Sequence, residues 1–165
     1  MTTRTPATIR KRSTTRTASV TRDAWQEFQA FLRARCERMT QPRRIVLEAA
    51  LAREDHFRAD DLVADLSHRE RRVSRGTVYR TLALLVEAGI LRQIRDSDTH
   101  VHYEAVFGRV PHEHMVCDTC GRFIEFCDPQ IAVRLKQACR TQKFQERTHR
   151  IIVFGLCENC RKAKP

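Results

Sequence analysis

Two C-x-x-C pairs constrain this chain more than any other feature: Cys117-Asp118-Thr119-Cys120 and Cys157-Glu158-Asn159-Cys160. Two residues between thiols let a tight turn aim both sulfurs at one ion, and two such pairs complete a tetrahedral shell with no open position. That is the donor set of a structural Zn2+ site. Gly121, directly after the first pair, supplies the backbone freedom such a turn needs. The competing readings are four ordinary buried cysteines or two disulfides. Seven cysteines, an odd count, in a chain with no apolar signal segment argue against a secreted disulfide scaffold. A reducing compartment, the cytoplasm, is the expected location. In a unit of roughly 55 residues much of the folding free energy comes from the metal, so chelation is expected to unfold or dissociate residues 109–165. Cys36, Cys127 and Cys139 lack paired spacing and read as small buried hydrophobes.

Upstream, apolar periodicity sets the organisation. Trp25, Phe28, Phe31 and Leu32 recur at helical spacing, with Asp23 available as N-cap. Thr40 caps a second helix with Pro42 in its first turn and Ile45, Val46, Ala49 and Ala50 turned inward. His56 and Phe57 fall in a loop. A third helix from Ala59 carries Leu62, Val63 and Leu66, and Ser74 caps a fourth that carries Val78, Leu82, Leu85 and Val86 and stops at Ala88-Gly89. The period then changes to two: Leu91–Arg95, a turn over Asp96–Thr99, and His100–Glu104 read as a hairpin. Helices followed by a hairpin, the last helix studded with arginine, make a winged helix. Beyond Gly108 and Pro111, short strands flank the first cysteine pair, Pro129 opens a helix with Ile131, Val133, Leu135 and Ala138, and His149–Leu156 is a strand leading into the second pair. The expected fold is α+β: a disordered basic tail over 1–22, a winged helix over 23–104, a linker over 105–111, and a small α/β unit with a structural zinc over 112–165.

Net charge is +11, but its placement matters more than its sum. Residues 1–22 carry +6 and residues 109–165 carry +5, whereas residues 23–108 hold fourteen charges of each sign. The acid-free, Arg/Thr/Ser-rich start shares its composition with organelle transit peptides and is read here as a basic arm adding salt-dependent affinity for a polyanion. Within the neutral region, residues 67–80 concentrate five arginines against one glutamate. Arg75, Thr77, Tyr79 and Arg80 on the fourth helix, with Arg43 and Arg44 on the second, are the candidate DNA contacts, Tyr79 suiting a thymine methyl and the arginines suiting phosphates or guanine edges. No run approaches the roughly 18 apolar residues of a membrane span.

A second metal site, of different chemistry, is suggested by His112-Glu113-His114, whose imidazoles share one face of a strand. Glu125 and Glu104 are plausible oxygen ligands and His56 a remote candidate; His100 and His102 alternate with Glu104 on the hairpin and compete with it. Nitrogen and carboxylate suit Fe2+, Mn2+, Co2+ or Zn2+.

Four segments together resemble the ferric uptake regulator family: Arg38-Met39-Thr40-Gln41-Pro42-Arg43, His56-Phe57-Arg58-Ala59-Asp60-Asp61-Leu62, Gly76-Thr77-Val78-Tyr79-Arg80-Thr81-Leu82, and His112 through Gly121. The likeness spans most of residues 38–160. It implies a winged helix joined to a dimerisation domain, the structural zinc on Cys117, Cys120, Cys157 and Cys160, and a regulatory metal on His56, Glu104, His112, His114 and Glu125. Many members carry a further metal site; the corresponding positions here read Pro111, Glu113, Ala132 and His149, so two of its four ligands are missing. Relatives that sense zinc place Cys at position 104, and peroxide sensors place Asp at 104 and 125. Glutamate at both favours Fe2+, with Mn2+ or Zn2+ as alternatives.

The function expected is a metal-responsive repressor that binds double-stranded operator DNA as a homodimer and takes no membrane and no small-molecule substrate. A zinc- or peroxide-responsive regulator is the rival within the family. A zinc-ribbon scaffold would need neither His56, Glu104 nor Glu125. An enzyme is not expected: zinc deaminases use H-x-E with P-C-x-x-C and an open metal position, whereas His112 and Glu113 are adjacent and the second cysteine pair closes the shell.

Overall fold

The computed structural model describes residues 18–68, 73–96 and 100–163. Most of the expected tail, the arginines Arg69, Arg71 and Arg72, and the turn residues Ser97, Asp98 and Thr99 lie outside the described residues. The chain forms two compact units that part between Val110 and Pro111.

The first unit opens with α1 (Ala18–Ala34). Asp23 is therefore no N-cap; it lies inside the helix, where Ser19 Oγ donates to its carboxylate at 3.4 Å. The helix starts early because Val20 extends the apolar stripe of Ala24, Phe28 and Leu32 by one more four-residue step. Val20 Cγ1 packs so closely on Gly108 that a Cβ there would lie 2.9 Å away. The expected tail thus loses residues 18–22 to the helix. α2 (Gln41–Leu51) follows, with Thr40 capping Arg43 N and Pro42 in the first turn. Its buried face is Val46, Leu47, Ala50 and Leu51, one step round from the expected stripe, leaving Ile45 and Ala49 only half-buried.

The loop expected at residues 56–57 contains a strand instead, β1 (Phe57–Arg58), which leads into α3 (Ala59–His68). Ser74 caps α4 (Arg75–Glu87) by accepting from Thr77 N at 3.2 Å. α4 stops where Gly89 takes φ 69° and Ile90 N reaches back to Leu85 O at 2.9 Å, the left-handed ending expected of glycine. β2 (Leu91–Arg95) and β3 (Val101–Ala105) form the wing, and the sheet order is β1-β3-β2, all antiparallel. Phe28, Leu32, Leu47, Leu62, Leu82 and Leu85 are fully buried between the helices and this sheet. Residues 105–107 are no linker: Ala105 is buried in β3, Val106 N bonds Ile90 O at 3.1 Å, and Phe107 packs on the core.

The second unit holds β4 (Glu113–Cys117), β5 (Phe123–Phe126), α5 (Pro129–Thr141), β6 (Ile152–Gly155) and α6 (Glu158–Lys162). β5 pairs antiparallel and β6 parallel to β4, in the order β5-β4-β6, with α5 on the crossover. Asp128 caps α5, accepting from Gln130 N at 2.9 Å. Val116 is buried, but α5 buries none of its residues, and Met115, Val133, Phe144, Val153, Phe154 and Leu156 are exposed. α6 has no counterpart in the sequence reading. Nor are the three unpaired cysteines buried: Cys127 and Cys139 are half-exposed, and Cys36 is exposed because it occupies the left-handed residue that ends α1, φ 57°.

Candidate metal centres and nucleic-acid interface

The parallel register of β4 and β6 sets Cys117 beside Gly155, two residues before Cys157. Cys120 closes the turn after β4, where Gly121 takes φ 65° and bonds back to Cys117 O at 2.9 Å; Cys160 lies in α6. The four sulfurs lie within 4.8 Å of one another, and Cys120 Sγ is 3.8 Å from Cys157 Sγ. Tetrahedral zinc with bonds of about 2.3 Å separates its sulfurs by about 3.8 Å, so the arrangement fits Zn2+ and is too open for disulfides, which place bonded sulfurs about 2.05 Å apart. The Cys157 N–H, 3.3 Å from Cys117 Sγ, and the Cys120 N–H draw the Cys117 thiol down to about 6. The neighbouring sulfurs of Cys157 and Cys120 push Cys160 up to about 12. Four thiolates in this space need a cation to coexist.

Harder donors are found in each unit. In the first, the β1–β3 pairing of Phe57 with Tyr103 brings His56, one residue before the strand, opposite Glu104. His56 Nε2 lies 3.1 Å from Glu104 Oε2, and Glu104 is fully buried. Its other oxygen takes Arg92 Nε at 2.6 Å and Nη2 at 2.5 Å. His102 Nε2 meets Asp96 Oδ2 at 2.9 Å, so of the wing candidates it is Glu104 that faces His56. In the second unit, His114 on β4 stands opposite Glu125 on β5, their donor atoms within 4.8 Å. His114 is buried, its ring edge-on to Phe123 at 6.2 Å and to His112 at 4.9 Å. Imidazole and carboxylate donors of this kind suit a divalent ion harder than the thiolate site prefers.

At the positions of the depleted third site, His149 Nε2 lies 3.4 Å from Glu113 Oε1, and His149 Nδ1 lies 2.6 Å from Glu146 Oε1. Glu113 Oε2 also accepts from Ile151 N at 3.1 Å. A carboxylate therefore meets each imidazole nitrogen, and Glu146 is a partner the sequence reading missed.

The candidate DNA contacts fall into three groups. Arg43, Thr77 and Arg80 line a groove of about 470 Å3 together with Arg38 and Thr40, where the start of α2 meets α4. There Arg43 donates to Arg38 O at 2.7 Å and pairs with Glu37, bracing the turn before α2. Arg80 lays its guanidinium over Gly76, where a Cβ would sit 3.3 Å from Nη1. Arg44 lies apart, paired with Glu48 at 2.8 Å. Arg75 and Tyr79 share Asp60 of α3: Tyr79 Oη donates at 2.5 Å and Arg75 Nη2 lies at 2.9 Å. The bond to Asp60 raises the Tyr79 phenol above its usual range.

A winged helix joined to an α/β unit cornered by four thiols, with separate imidazole–carboxylate donors, defines a metal-responsive DNA-binding regulator. The Ferric uptake regulator family profile matches residues 35–154, and the chain belongs to that family. The peroxide-responsive repressor PerR of Staphylococcus epidermidis is 26% identical over 137 residues, covering 83% of this chain and 90% of that protein. The solved ferric uptake regulator from Pseudomonas aeruginosa with manganese is 28% identical, with TM-score 0.68, covering 78% of this chain and 96% of its own. A zinc uptake regulator complexed with zinc and DNA is 25% identical, with TM-score 0.56, covering 87% and 97%. Family members are transcription regulators, which are not enzymes. No helix among the described residues is long and apolar enough to cross a membrane.

Proposed function

We propose that this protein is a cytoplasmic repressor that binds double-stranded operator DNA as a homodimer when one Fe2+, or Mn2+ in its place, is held by His56, Glu104, His112, His114 and Glu125, while Cys117, Cys120, Cys157 and Cys160 hold a structural Zn2+. The observation that carries this reading is the fully buried Glu104 facing His56, a donor pair chemically distinct from the thiolate cluster. An ion drawing ligands from both units restricts their relative orientation. It thereby selects DNA-competent dimers, and DNA in turn tightens the ion. The exposed apolar side chains of the second unit support dimerisation, since a lone copy leaves them in water. Arg75, Thr77, Tyr79 and Arg80 on α4, with Arg43 and Arg44, are the proposed DNA contacts. The structural likeness to a zinc uptake regulator complexed with zinc and DNA supports DNA binding in general.

The test is DNA binding titrated with Fe2+, Mn2+ and Zn2+, with and without peroxide. His114→Ala is expected to abolish metal-dependent binding and leave one zinc per chain. Undiminished metal-dependent binding in that variant overturns the reading. A scaffold holding zinc alone would show one metal per chain and no response. Likeness to a peroxide-responsive repressor favours a second reading, in which peroxide releases the iron-loaded protein from DNA; the peroxide arm decides between them.

A further inference from the structure

Asp60 stands in the first turn of α3, outside the metal donors and outside the groove at the start of α2. A single oxygen, Oδ1, receives Tyr79 Oη at 2.5 Å and lies 2.9 Å from Arg75 Nη2. Arg75 Nη2 also donates to Tyr79 Oη at 3.3 Å, and the guanidinium lies 5.3 Å from the tyrosine ring centroid. Residues four apart on a helix lie one above the other, so Arg75 and Tyr79 form a stacked pair on α4 that α3 grips through one carboxylate. The ion pair is exposed, 66% for Arg75 and 49% for Asp60. An exposed ion pair of this kind contributes little to folding, which leaves its effect on the surface charge as its main consequence.

That effect fits the neutrality of residues 23–108. Phosphate attraction independent of sequence comes from cations that release condensed counterions, one per phosphate neutralised. A carboxylate held against the base-reading helix by its neighbour opposes that attraction everywhere on DNA, and only a site offering compensating base contacts overcomes it. We propose that Asp60 is a specificity-determining positioning residue: it presets Tyr79 and Arg75 for base contact and withholds the Arg75 charge from phosphates met at random. This rests on the reading of α4 as the DNA-reading helix.

The experiment uses the full-length, zinc-replete chain loaded with Mn2+, a duplex that the wild type enriches from a random library, and a shuffled duplex of the same composition. Affinities are measured by fluorescence anisotropy over a KCl series. Asp60→Asn is expected to bind the shuffled duplex about fivefold more tightly, with a salt slope steeper by about one phosphate contact, so that the ratio of enriched to shuffled affinity falls. Asp60→Glu, which restores the charge, is expected to return the slope to the wild-type value. An Asn variant with unchanged slope and ratio overturns the proposal, as does a Glu variant as steep as the Asn variant. Tyr79→Phe, which keeps the ring and the Arg75–Asp60 pair, is expected to weaken only the enriched duplex; equal weakening on both duplexes overturns the presetting role. If the wild type enriches no duplex from the library, the DNA-binding reading fails by itself, separately from Asp60.

Discussion

The two units of this chain solve the problem of a small fold in opposite ways. Residues 18–110 close an apolar core of their own, in which Phe28, Leu32, Leu47, Leu82 and Leu85 are fully buried. Each such side chain contributes about 1.5–3 kcal/mol. Residues 111–163 bury Val116, two thiols and two ionisable side chains, while α5 buries nothing and Phe144 stays 67% exposed. The first unit is held by the periodicity of its helices. The second has so small a core that, on the reading proposed above, a bound ion and a cover over its apolar face must supply the rest, and its stability is expected to depend on conditions that leave the first unit untouched.

Metal removal is the harshest way to break that contrast. Structural zinc supplies roughly 10 kcal/mol to domains of this size, more than a unit with so small a core can replace. Stripping zinc with a chelator, or Cys120→Ser, is expected to erase hydrogen-exchange protection from β4, β5 and β6 while protection persists in α2 and α4. Protected β4 amides in the metal-free chain would show that the second unit has a sufficient core after all.

A smaller effect follows from the exposed face. Phe154 stands half-exposed on β6, which pairs only with β4 among the described strands. Phe154→Asp is expected to weaken self-association by about 2–4 kcal/mol, the loss typical of a central aromatic contact, with zinc content unchanged. Sedimentation should then show monomers at concentrations where the wild type is dimeric. A variant that sediments like the wild type would place the dimer contact elsewhere.

What could be read from the sequence divides along the same line. Caps are local chemistry, so Thr40 and Ser74 were legible from a few residues each, as was the glycine stop at Gly89. The cysteine spacing carried the thiolate cluster in the same way. Features set by distant partners were not legible: β1 is only two residues long and exists because β3 pairs with it. The seating of Val20, which opens α1 early, needs the bare backbone of Gly108, some ninety residues away in sequence. His56 and Glu104 were weak candidates by residue type that the family resemblance strengthened, and only the register of Phe57 with Tyr103 gives their meeting a geometric reason. Arg92 and Glu146 carry no motif, and Asp60 sits in a family segment that gave it no role; each acquires its role from a neighbouring side chain.

The finest probe of the contrast uses helix ends. α1 and α5 terminate in the same hydrogen-bond pattern as α4, but with Cys36 at φ 57° and Lys143 at φ 52° where α4 has glycine. Glu37 N reaches Leu32 O at 2.8 Å and Phe144 N reaches Cys139 O at 2.8 Å, so both residues are locked in the left-handed region. A side chain there costs roughly 1–2 kcal/mol, offset in part by the greater freedom glycine has in the unfolded chain. Cys36→Gly and Lys143→Gly are each expected to stabilise their own unit by about 0.5–1 kcal/mol, read from denaturant midpoints of exchange protection within that unit. The gain from Cys36→Gly should persist without zinc, because α1 packs on a core that needs no metal. The gain from Lys143→Gly should vanish when zinc is removed, because an unfolded α5 has no left-handed residue to relieve. A Lys143→Gly gain that survives chelation would mean that α5 keeps its ending without the ion, and that the dependence of the second unit on metal is confined to the strands and turns around the thiolates.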